Sequence, residues 1–281
     1  MDCPKCDTEV PESSRTCLAC ETNVGFPNVR VAENMDNIEA IKKRVEEANV
    51  STKARKCDQI LKDFGEKVSF SKAIRCLSLS VAKQVLESDN ELFSTFYQKV
   101  ASKQKVPQNN EWDRARESVE SKLFPGYHSE IHCAFLSLTN NILGNYGDCG
   151  LILKEEAIAD RATVFEKNPI LFFEEFLIAG RKPVPHGYRS IWRQRNMIAM
   201  AKLHPKFSDS TTCNDYSSIL YCDSKKNEET DFIEVHIFGT LHRRSVEHVI
   251  VKAAKSKADK VIQRSLKNSL GEIGVSLEVI S

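Results

Sequence analysis

Four cysteines near the N-terminus are spaced for binding one metal ion. They form two C-x-x-C pairs, C-P-K-C at residues 3–6 and C-L-A-C at residues 17–20. Two residues between paired cysteines let both sulfurs of a tight turn face one ion, and a second turn completes a tetrahedral shell. A segment this short cannot bury enough apolar surface to fold alone, so the metal supplies folding free energy. The spacing predicts a structural zinc ion with four ligands: Cys3, Cys6, Cys17 and Cys20.

These paired turns resemble those of zinc ribbons. Ribbons often carry glycine after each turn, where the backbone is left-handed, whereas this chain has Asp7 and Glu21. Aspartate tolerates that conformation, and glutamate does so poorly. A redox pair or a chance spacing are the alternatives to structural zinc. A closed shell of four cysteines leaves no open position for catalysis, so the predicted role is structural.

A carboxylate and an imidazole lie two residues apart late in the chain, in the apolar run at 231–239. Side chains alternate along a strand, so Glu234 and His236 are predicted to share one face while the apolar residues between them occupy the other. Such a pair can act as an acid–base or hydroxyl-orienting group. The alternative is an edge strand whose polar residues simply face water.

A second group of polar side chains lies upstream. Tyr146 begins the segment Y-G-D-C-G-L-I-L-K, which ends at Lys154, and Arg161, Thr163 and Asn168 follow. The basic, hydroxyl and amide groups can donate hydrogen bonds to a phosphate or a ribose. The aromatic ring at position 146 can stack on a planar ligand.

The order of these motifs resembles that of ADP-ribosyltransferase-like domains from bacterial toxins and defence proteins. The match runs from Y-G-x-x-x-apolar-x-apolar-K, through R-A-T-x-F, to the late strand E-x-H, and covers roughly residues 127–252. The resemblance implies an α+β fold with a split, mixed or antiparallel sheet and flanking helices. It also implies a cleft that binds NAD as substrate.

The resemblance further implies a role for each of the polar residues. Glu234 would hold the nicotinamide ribose and stabilise the oxocarbenium-like centre, with His236 and Arg161 as the other catalytic positions. The cofactor-binding positions would be Tyr146, Lys154, Thr163 and Asn168.

The chain departs from the family pattern in two places. Many members carry glutamine or glutamate two residues before the catalytic glutamate, and this chain has Phe232 there. The early-strand arginine or histidine of the family has no assigned counterpart, and His132 is a candidate only by proximity.

The function implied by the resemblance is transfer of ADP-ribose from NAD to a macromolecule, with nucleic acid favoured over protein. A toxin of a toxin–antitoxin or anti-phage system, with an antitoxin or regulatory protein as partner, fits this organisation. The alternative is a non-enzymatic zinc-ribbon adaptor that binds nucleic acid or protein. The predicted helix at 188–203 and the run at 253–268 are basic on one side, which is typical of phosphate contacts but also of plain solvated helices.

Three segments must position these residues: a zinc ribbon at 1–24, a helical region at 34–124 and an α+β domain at 126–281. Apolar periodicity predicts helices in the second segment, including one whose apolar face contains Ile74, Leu77, Val81 and Val85. In the third segment, patterns predict helices at 131–142, 169–179 and 188–203. Strands are predicted at 149–154, 218–222, 232–239, 248–253 and 273–279.

Composition excludes several classes. The 281 residues carry a net charge of +1 and are 41% hydrophobic, which is ordinary for a globular protein and gives no global attraction to nucleic acid or lipid. The opening M-D-C-P-K-C lacks the pattern of an export signal, and no apolar run is long enough to span a bilayer, so a cytoplasmic protein without membrane contact is expected. Free cysteines in such a compartment are usually small core residues. That is the expectation for Cys57, Cys76, Cys133, Cys149, Cys213 and Cys222.

Overall fold

The computed structural model describes residues 1–106, 111–180, 182–221 and 230–280. In this part of the chain the fold is α+β, with a mixed sheet of eight strands and helices on both of its faces. The α-helices are α1 Pro27–Ala32, α2 Met35–Ala54, α3 Asp58–Val68, α4 Leu79–Leu86, α5 Phe96–Ala101, α6 Glu111–Leu123, α7 Glu155–Ile158, α8 Pro169–Glu175, α9 Arg195–Leu203, α10 Tyr216–Leu220 and α11 Lys257–Glu272.

The strands of the large sheet lie in the order β10-β9-β4-β1-β3-β7-β5-β6. Neighbours are antiparallel except β9 and β10, which are parallel and are joined through helix α11, since parallel strands need a crossover connection. Two short strands, β2 and β8, form a separate ladder. The strands are β1 Lys72–Leu77, β2 Leu92–Phe93, β3 Ile131–Ser137, β4 Cys149–Leu153, β5 Ala162–Phe165, β6 Arg189–Ile191, β7 Glu234–Phe238, β8 Leu241–His242, β9 Val246–Lys252 and β10 Ser276–Ile280.

Strand β7 is central, between β3 and β5, and its side chains alternate between two cores. Val235 and Ile237 belong to the largest apolar cluster, which also includes residues of α2, α3 and α9. Glu234, His236 and Phe238 occupy the other face, where α6 and α8 pack through a second cluster rich in phenylalanine. The predicted division of these side chains between two faces is therefore confirmed.

Pairing between β1 and β3 stops early. The two strands pair only from Lys72–Ser137 to Ile74–Phe135. Beyond that point β1 continues to pair with β4 as far as Leu77, and β3 continues to pair with β7 back to Ile131. The middle of the sheet is thus unpaired over part of its length, and α5, α6 and α8 lie over this opening.

Two predicted helices are strands in the structure. Ile74 and Leu77 lie on β1 rather than on a helix, and the helix of that segment is only α4. The predicted helix at 131–142 is wrong as well, because residues 131–137 form β3. Both strands are buried on the two faces of the sheet, so their sequences lack alternation and their apolar spacing fits a helix equally well.

Two smaller corrections concern the later part of the chain. The predicted strand at 218–222 is largely the helix α10, and Cys222 itself lies outside the described residues. The predicted helix at 188–203 begins instead with strand β6 and a 3-10 turn before α9. The strands predicted at 149–154, 232–239, 248–253 and 273–279 correspond to β4, β7, β9 and β10.

Among the helices of residues 1–106, 111–180, 182–221 and 230–280, none combines the length and the apolar character that crossing a bilayer requires.

Candidate functional site: a metal-binding turn pair and a buried cleft

The four N-terminal cysteines come together around one point. Cys3 Sγ lies 3.5 Å from Cys20 Sγ, and Cys6 Sγ lies 3.6 Å from Cys17 Sγ. All four sulfurs are within 4.8 Å of one another. Thiolates about 2.3 Å from a tetrahedral ion are roughly 3.8 Å apart, so the observed spacing suits such a shell. The four cysteines can hold a metal ion.

The two turns have the same backbone conformation. Asp7 and Glu21 both have left-handed backbones, with φ of 54° and 57°. The amide of Asp7 donates to the carbonyl of Cys3 at 3.0 Å, and the amide of Glu21 donates to that of Cys17 at 2.8 Å. Glu21 therefore adopts the conformation that its side chain disfavours, because the turn geometry requires it.

A threonine follows the last cysteine of each pair by two residues. Cys6 Sγ lies 3.4 Å from Thr8 Oγ1, and Cys20 Sγ lies 3.2 Å from Thr22 Oγ1. The hydrogen bond to Thr8 lowers the pKa of Cys6, and those to the hydroxyl and amide of Thr22 lower the pKa of Cys20 to about 6. Metals bind the thiolate form, so these threonines favour metal binding at neutral pH.

A cavity of about 180 Å³ opens where β1 and β3 cease to pair. Its floor is formed by the sheet, including β3 and β7, and its wall includes residues of α5, α6, α8 and the segment before β4. Polar side chains reach it from seven separate elements or loops. They include Arg75, Tyr97, Arg116, Glu120, His132, Cys133, Tyr146, Asn168 and Glu234.

Glu234 and His236 form a buried pair beside this cavity. Glu234 is 7% exposed and His236 is 2% exposed. The Nε2 of His236 lies 3.3 Å from the Oε1 of Glu234, and the rings of Phe124 and Phe165 lie against the imidazole. The edge-strand alternative is wrong, because the strand is central and neither side chain faces water. Glu234 lines the cavity, and His236 lies behind it.

Cys133 lies on the same face, opposite His236 in the β3–β7 register. Its sulfur is within 4.8 Å of the polar side-chain atoms of Glu234 and His236. Burial, together with the charges of Glu234 and Glu120, raises the pKa of Cys133 well above its usual value. The thiol therefore stays protonated at neutral pH, and the cluster does not supply a cysteine nucleophile.

A second carboxylate comes from helix α6. Glu120 lines the cavity, and its Oε1 lies 3.3 Å from the Nη1 of Arg116, one turn earlier on the same helix. Burial raises the pKa of Glu120 to about 7, against the opposing effect of Arg116 and with a contribution from Glu234. The sequence prediction missed both residues. Their i,i+4 spacing beside the buried Val119 was the available signal, but it is typical of any solvated helix.

Tyr146 and Asn168 meet at the cavity wall. The Nδ2 of Asn168 donates to the hydroxyl of Tyr146 at 3.2 Å, and its Oδ1 accepts from the amide of Ile170 and so begins helix α8. Gly147 is required next to the tyrosine, since a Cβ there would lie 2.2 Å from the carbonyl oxygen of Leu77. The loop into β4 thus passes directly over the end of β1 and fixes the aromatic ring at the cavity.

Besides His236, three more of the residues predicted for the site do not line the cavity. The guanidinium of Arg161 donates to the carbonyls of Phe238 at 2.7 Å and Thr240 at 2.8 Å, and so it holds the end of β7. Thr163 is buried opposite His236 in the β5–β7 register, away from the cavity. Lys154 precedes α7 and does not line the cavity.

His132 lies on strand β3 and contacts Arg75 on strand β1, across the unpaired part of the sheet. Arg75 also donates to the carbonyl of Ser94 at 2.9 Å. Burial and the neighbouring charge of Arg75 lower the pKa of His132 to about 2, so the imidazole is neutral. The two side chains therefore join the separated strands at one end of the cavity.

The basic helix predicted at 188–203 is not a basic surface. Trp192 is 1% exposed and Arg195 is 2% exposed, and Arg195 donates to the carbonyls of Trp192 and Ser69. The Nζ of Lys202 lies 2.5 Å from a carboxylate oxygen of Asp231. These cations stabilise the interior, because the arginine and lysine side chains bury their stems and satisfy backbone carbonyls.

Comparison with known proteins adds no further identification. No protein-family model matches the chain, and no curated protein is similar to it at a significant level.

Proposed function

We propose that this chain cleaves the bond between nicotinamide and ribose in NAD and transfers ADP-ribose to a macromolecular acceptor. The observation that carries the proposal is the position of Glu234, a buried carboxylate on a central strand that faces a cavity at the unpaired part of the sheet. An apolar cavity with a few converging polar groups is the usual form of a small-molecule site.

The chemistry requires a fixed anion. As the bond to nicotinamide breaks, positive charge develops on the ribose ring, and a carboxylate stabilises that charge more in the transition state than in the ground state. Glu234 supplies the carboxylate. His236 lies 3.3 Å away on the side remote from the cavity and holds it in one orientation. Little water reaches the pair, which strengthens the electrostatic effect.

Other groups of the cleft are suited to binding the dinucleotide. The ring of Tyr146 is available for stacking on nicotinamide, and Asn168 fixes its hydroxyl. The Nε of Arg116 is buried and lacks a hydrogen-bond partner among the described residues, whereas the hydroxyl of Tyr97 faces Glu120. Buried polar atoms are rarely left unpaired, so the Nε of Arg116 indicates a ligand with acceptor atoms, such as the diphosphate or ribose of NAD.

The favoured acceptor is nucleic acid. Helix α11 carries four exposed cations, at spacings of three and four residues that place them on one face. Clustered lysine and arginine side chains bind phosphates by releasing counterions. The four residues are Lys257, Lys260, Arg264 and Lys267.

The proposed metal of the N-terminal turns is a structural zinc ion. Four thiolates at tetrahedral spacing are the donor set that zinc prefers, and an ion with four protein ligands has no open position for substrate. The turns enclose only a very small apolar cluster around Val10, so they depend on the metal for their fold.

The first prediction concerns the catalytic carboxylate. We expect Glu234→Gln to lower the rate of nicotinamide release from NAD by about 100-fold or more, because the amide cannot stabilise the cationic sugar. Nicotinamide is measured by chromatography after incubation of the purified protein with NAD. Glu247→Gln, an exposed glutamate on β9, serves as the matched control and should leave the rate unchanged.

The acceptor is identified with NAD labelled in its adenylate part. Incubation with total RNA, DNA and lysate protein should place the label on nucleic acid in the wild type and on nothing in Glu234→Gln. Label on protein would mean that the acceptor is protein rather than nucleic acid. Equal nicotinamide release by wild type and Glu234→Gln would remove Glu234 from the mechanism, and NAD-independent binding to nucleic acid without label transfer would favour the adaptor function.

A further inference from the structure

The cleft contains a second carboxylate that the proposed role of Glu234 does not use. Glu120 projects from α6 into the same cavity that Glu234 enters from β7, and its side chain is 15% exposed. The helix cannot easily rotate, because Val119 and Leu123 are buried in the phenylalanine-rich cluster beneath it. Arg116 contacts Glu120 at 3.3 Å and fixes the carboxylate further.

The proposed reaction needs a group that accepts a proton. When a hydroxyl or amine attacks the ribose, its proton must leave, and the carboxylate that faces the cationic sugar must stay charged. The imidazole of His236 is already directed at Glu234. The thiol of Cys133 has its pKa raised by burial, and His132 has its pKa lowered to about 2 by burial and by Arg75. Neither group is a useful base near neutral pH.

We propose that Glu120 is the general base that removes the proton from the attacking acceptor. This role rests on the proposed transfer of ADP-ribose. The bond from C1′ of the ribose to the nicotinamide nitrogen breaks, and its electron pair leaves with neutral nicotinamide. A lone pair of the acceptor oxygen or nitrogen forms the new bond to C1′, and the acceptor proton passes to the carboxylate of Glu120. With water as acceptor, the same steps give ADP-ribose.

The surroundings of Glu120 suit this role. Burial raises its pKa to about 7, and a base works best when its pKa is close to the working pH. The charged and titratable groups that face it are Arg116 from its own helix, Tyr97 from α5, Cys133 from β3 and Glu234 from β7. The acceptor class is thus a neutral hydroxyl or amine, since an anionic nucleophile needs no base.

The test uses the full-length protein with NAD and compares water with azide as the acceptor. We expect Glu120→Gln to lower ADP-ribose formation at pH 8 by about 100-fold or more, a typical effect of losing a general base. Sodium azide should restore nicotinamide release and yield ADP-ribosyl azide, because the azide ion carries no proton to remove. Glu117→Gln, three residues earlier and exposed on the same helix, should behave like the wild type.

Two further measurements separate a base from a structural residue. The wild-type rate should rise with pH through about 7, Glu120→Asp should keep this rise at reduced rate, and Glu120→Gln should lose it. A Glu120→Gln variant that is as fast as the wild type would overturn the role. So would a loss of nicotinamide release that azide does not restore, if the melting temperature of the variant is unchanged. Absence of nicotinamide release from the wild type would overturn the proposed function and this role with it.

Discussion

Glu120 is buried in the cleft, and burial disfavours the charged form of its carboxylate. A carboxyl group in water has a pKa near 4.5, and burial in the cleft raises that of Glu120 to about 7. The folded protein therefore binds this proton more tightly than the unfolded chain does. Stability from this group is fully present below pH 4.5 and is lost as the pH rises through about 7. A site kept under such a cost is typical of function rather than of packing.

A prediction follows from this loss of stability with rising pH. Between pH 6 and pH 8 the wild type should lose roughly 1 kcal/mol of unfolding free energy through Glu120, and Glu120→Gln should not show this component. Urea unfolding at the two pH values, with the same metal content, measures it. Glu117→Gln is the control, since its exposed carboxylate should give the wild-type pH dependence. A difference of zero between Glu120→Gln and wild type would place the carboxylate in water.

At the scale of secondary structure, the sequence predicts the later strands well and the first two central strands badly. Strand β7 alternates polar and apolar residues, because one face lies on the main core and the other lies at the cleft. Strands β1 and β3 have buried apolar residues on both faces and offer no period of two. The cleft lies between these two strands. Because their apolar spacing fits a helix as well as a strand, the sequence did not predict where the cleft lies.

The candidate site was predicted in part for a related reason. Glu234 and His236 are neighbours in sequence, so one strand brings them together whatever the topology. The contributions of Arg116 and Glu120 depend on α6 folding back over β3, which only tertiary packing decides. Arg161 was predicted to be a site residue from its place in the motif, but its guanidinium donates to the backbone carbonyl of Phe238 instead. A cationic side chain near a motif can serve either purpose.

The short helix α1 links the N-terminal turns to the strand of the cleft. The side chain of Asn28 is buried, and its Nδ2 donates to the carbonyls of Arg161 at 3.0 Å and His236 at 3.2 Å. Arg30, half a turn later, donates to the carbonyls of Ser14 and Glu12, both at 2.7 Å. One helix of six residues thus contacts both the N-terminal cysteine turns and β7.

The prediction at this scale concerns Asn28. We expect Asn28→Ala to lower the unfolding free energy by about 1–3 kcal/mol, because the carbonyls of His236 and Arg161 each lose a side-chain donor. The carbonyl of Arg161 keeps its hydrogen bond from the amide of Phe238. Asn140→Ala removes an exposed donor to Glu278 and should cost well under about 1 kcal/mol. Urea unfolding of both variants measures the difference. If both variants lose the same small amount, α1 does not hold the end of β7.

The whole molecule combines the N-terminal turns, whose four cysteines can hold a metal ion, with a sheet that has its own core. The N-terminal turns bury only Cys3, Val10 and Cys17 as a cluster, while the sheet is covered on both faces by large apolar clusters. Contacts between the two parts include the hydrogen bonds of Arg30 and a stacking of Arg15 on Phe26 at 4.2 Å. Losing the metal should therefore unfold the first part and leave the second folded.

The prediction at this scale is tested by removing the metal. One zinc ion per chain should be released by a strong chelator or by Cys17→Ser, and Cys213→Ser, at an exposed cysteine outside the shell, should retain it. Amide hydrogen exchange should then become fast across residues 1–24 and stay slow in β3 and β7, because only the turns take their folding free energy from the ion. Fast exchange throughout the sheet would mean that the metal holds the entire fold together. Unchanged protection of residues 1–24 after zinc loss would mean that the turns fold without it.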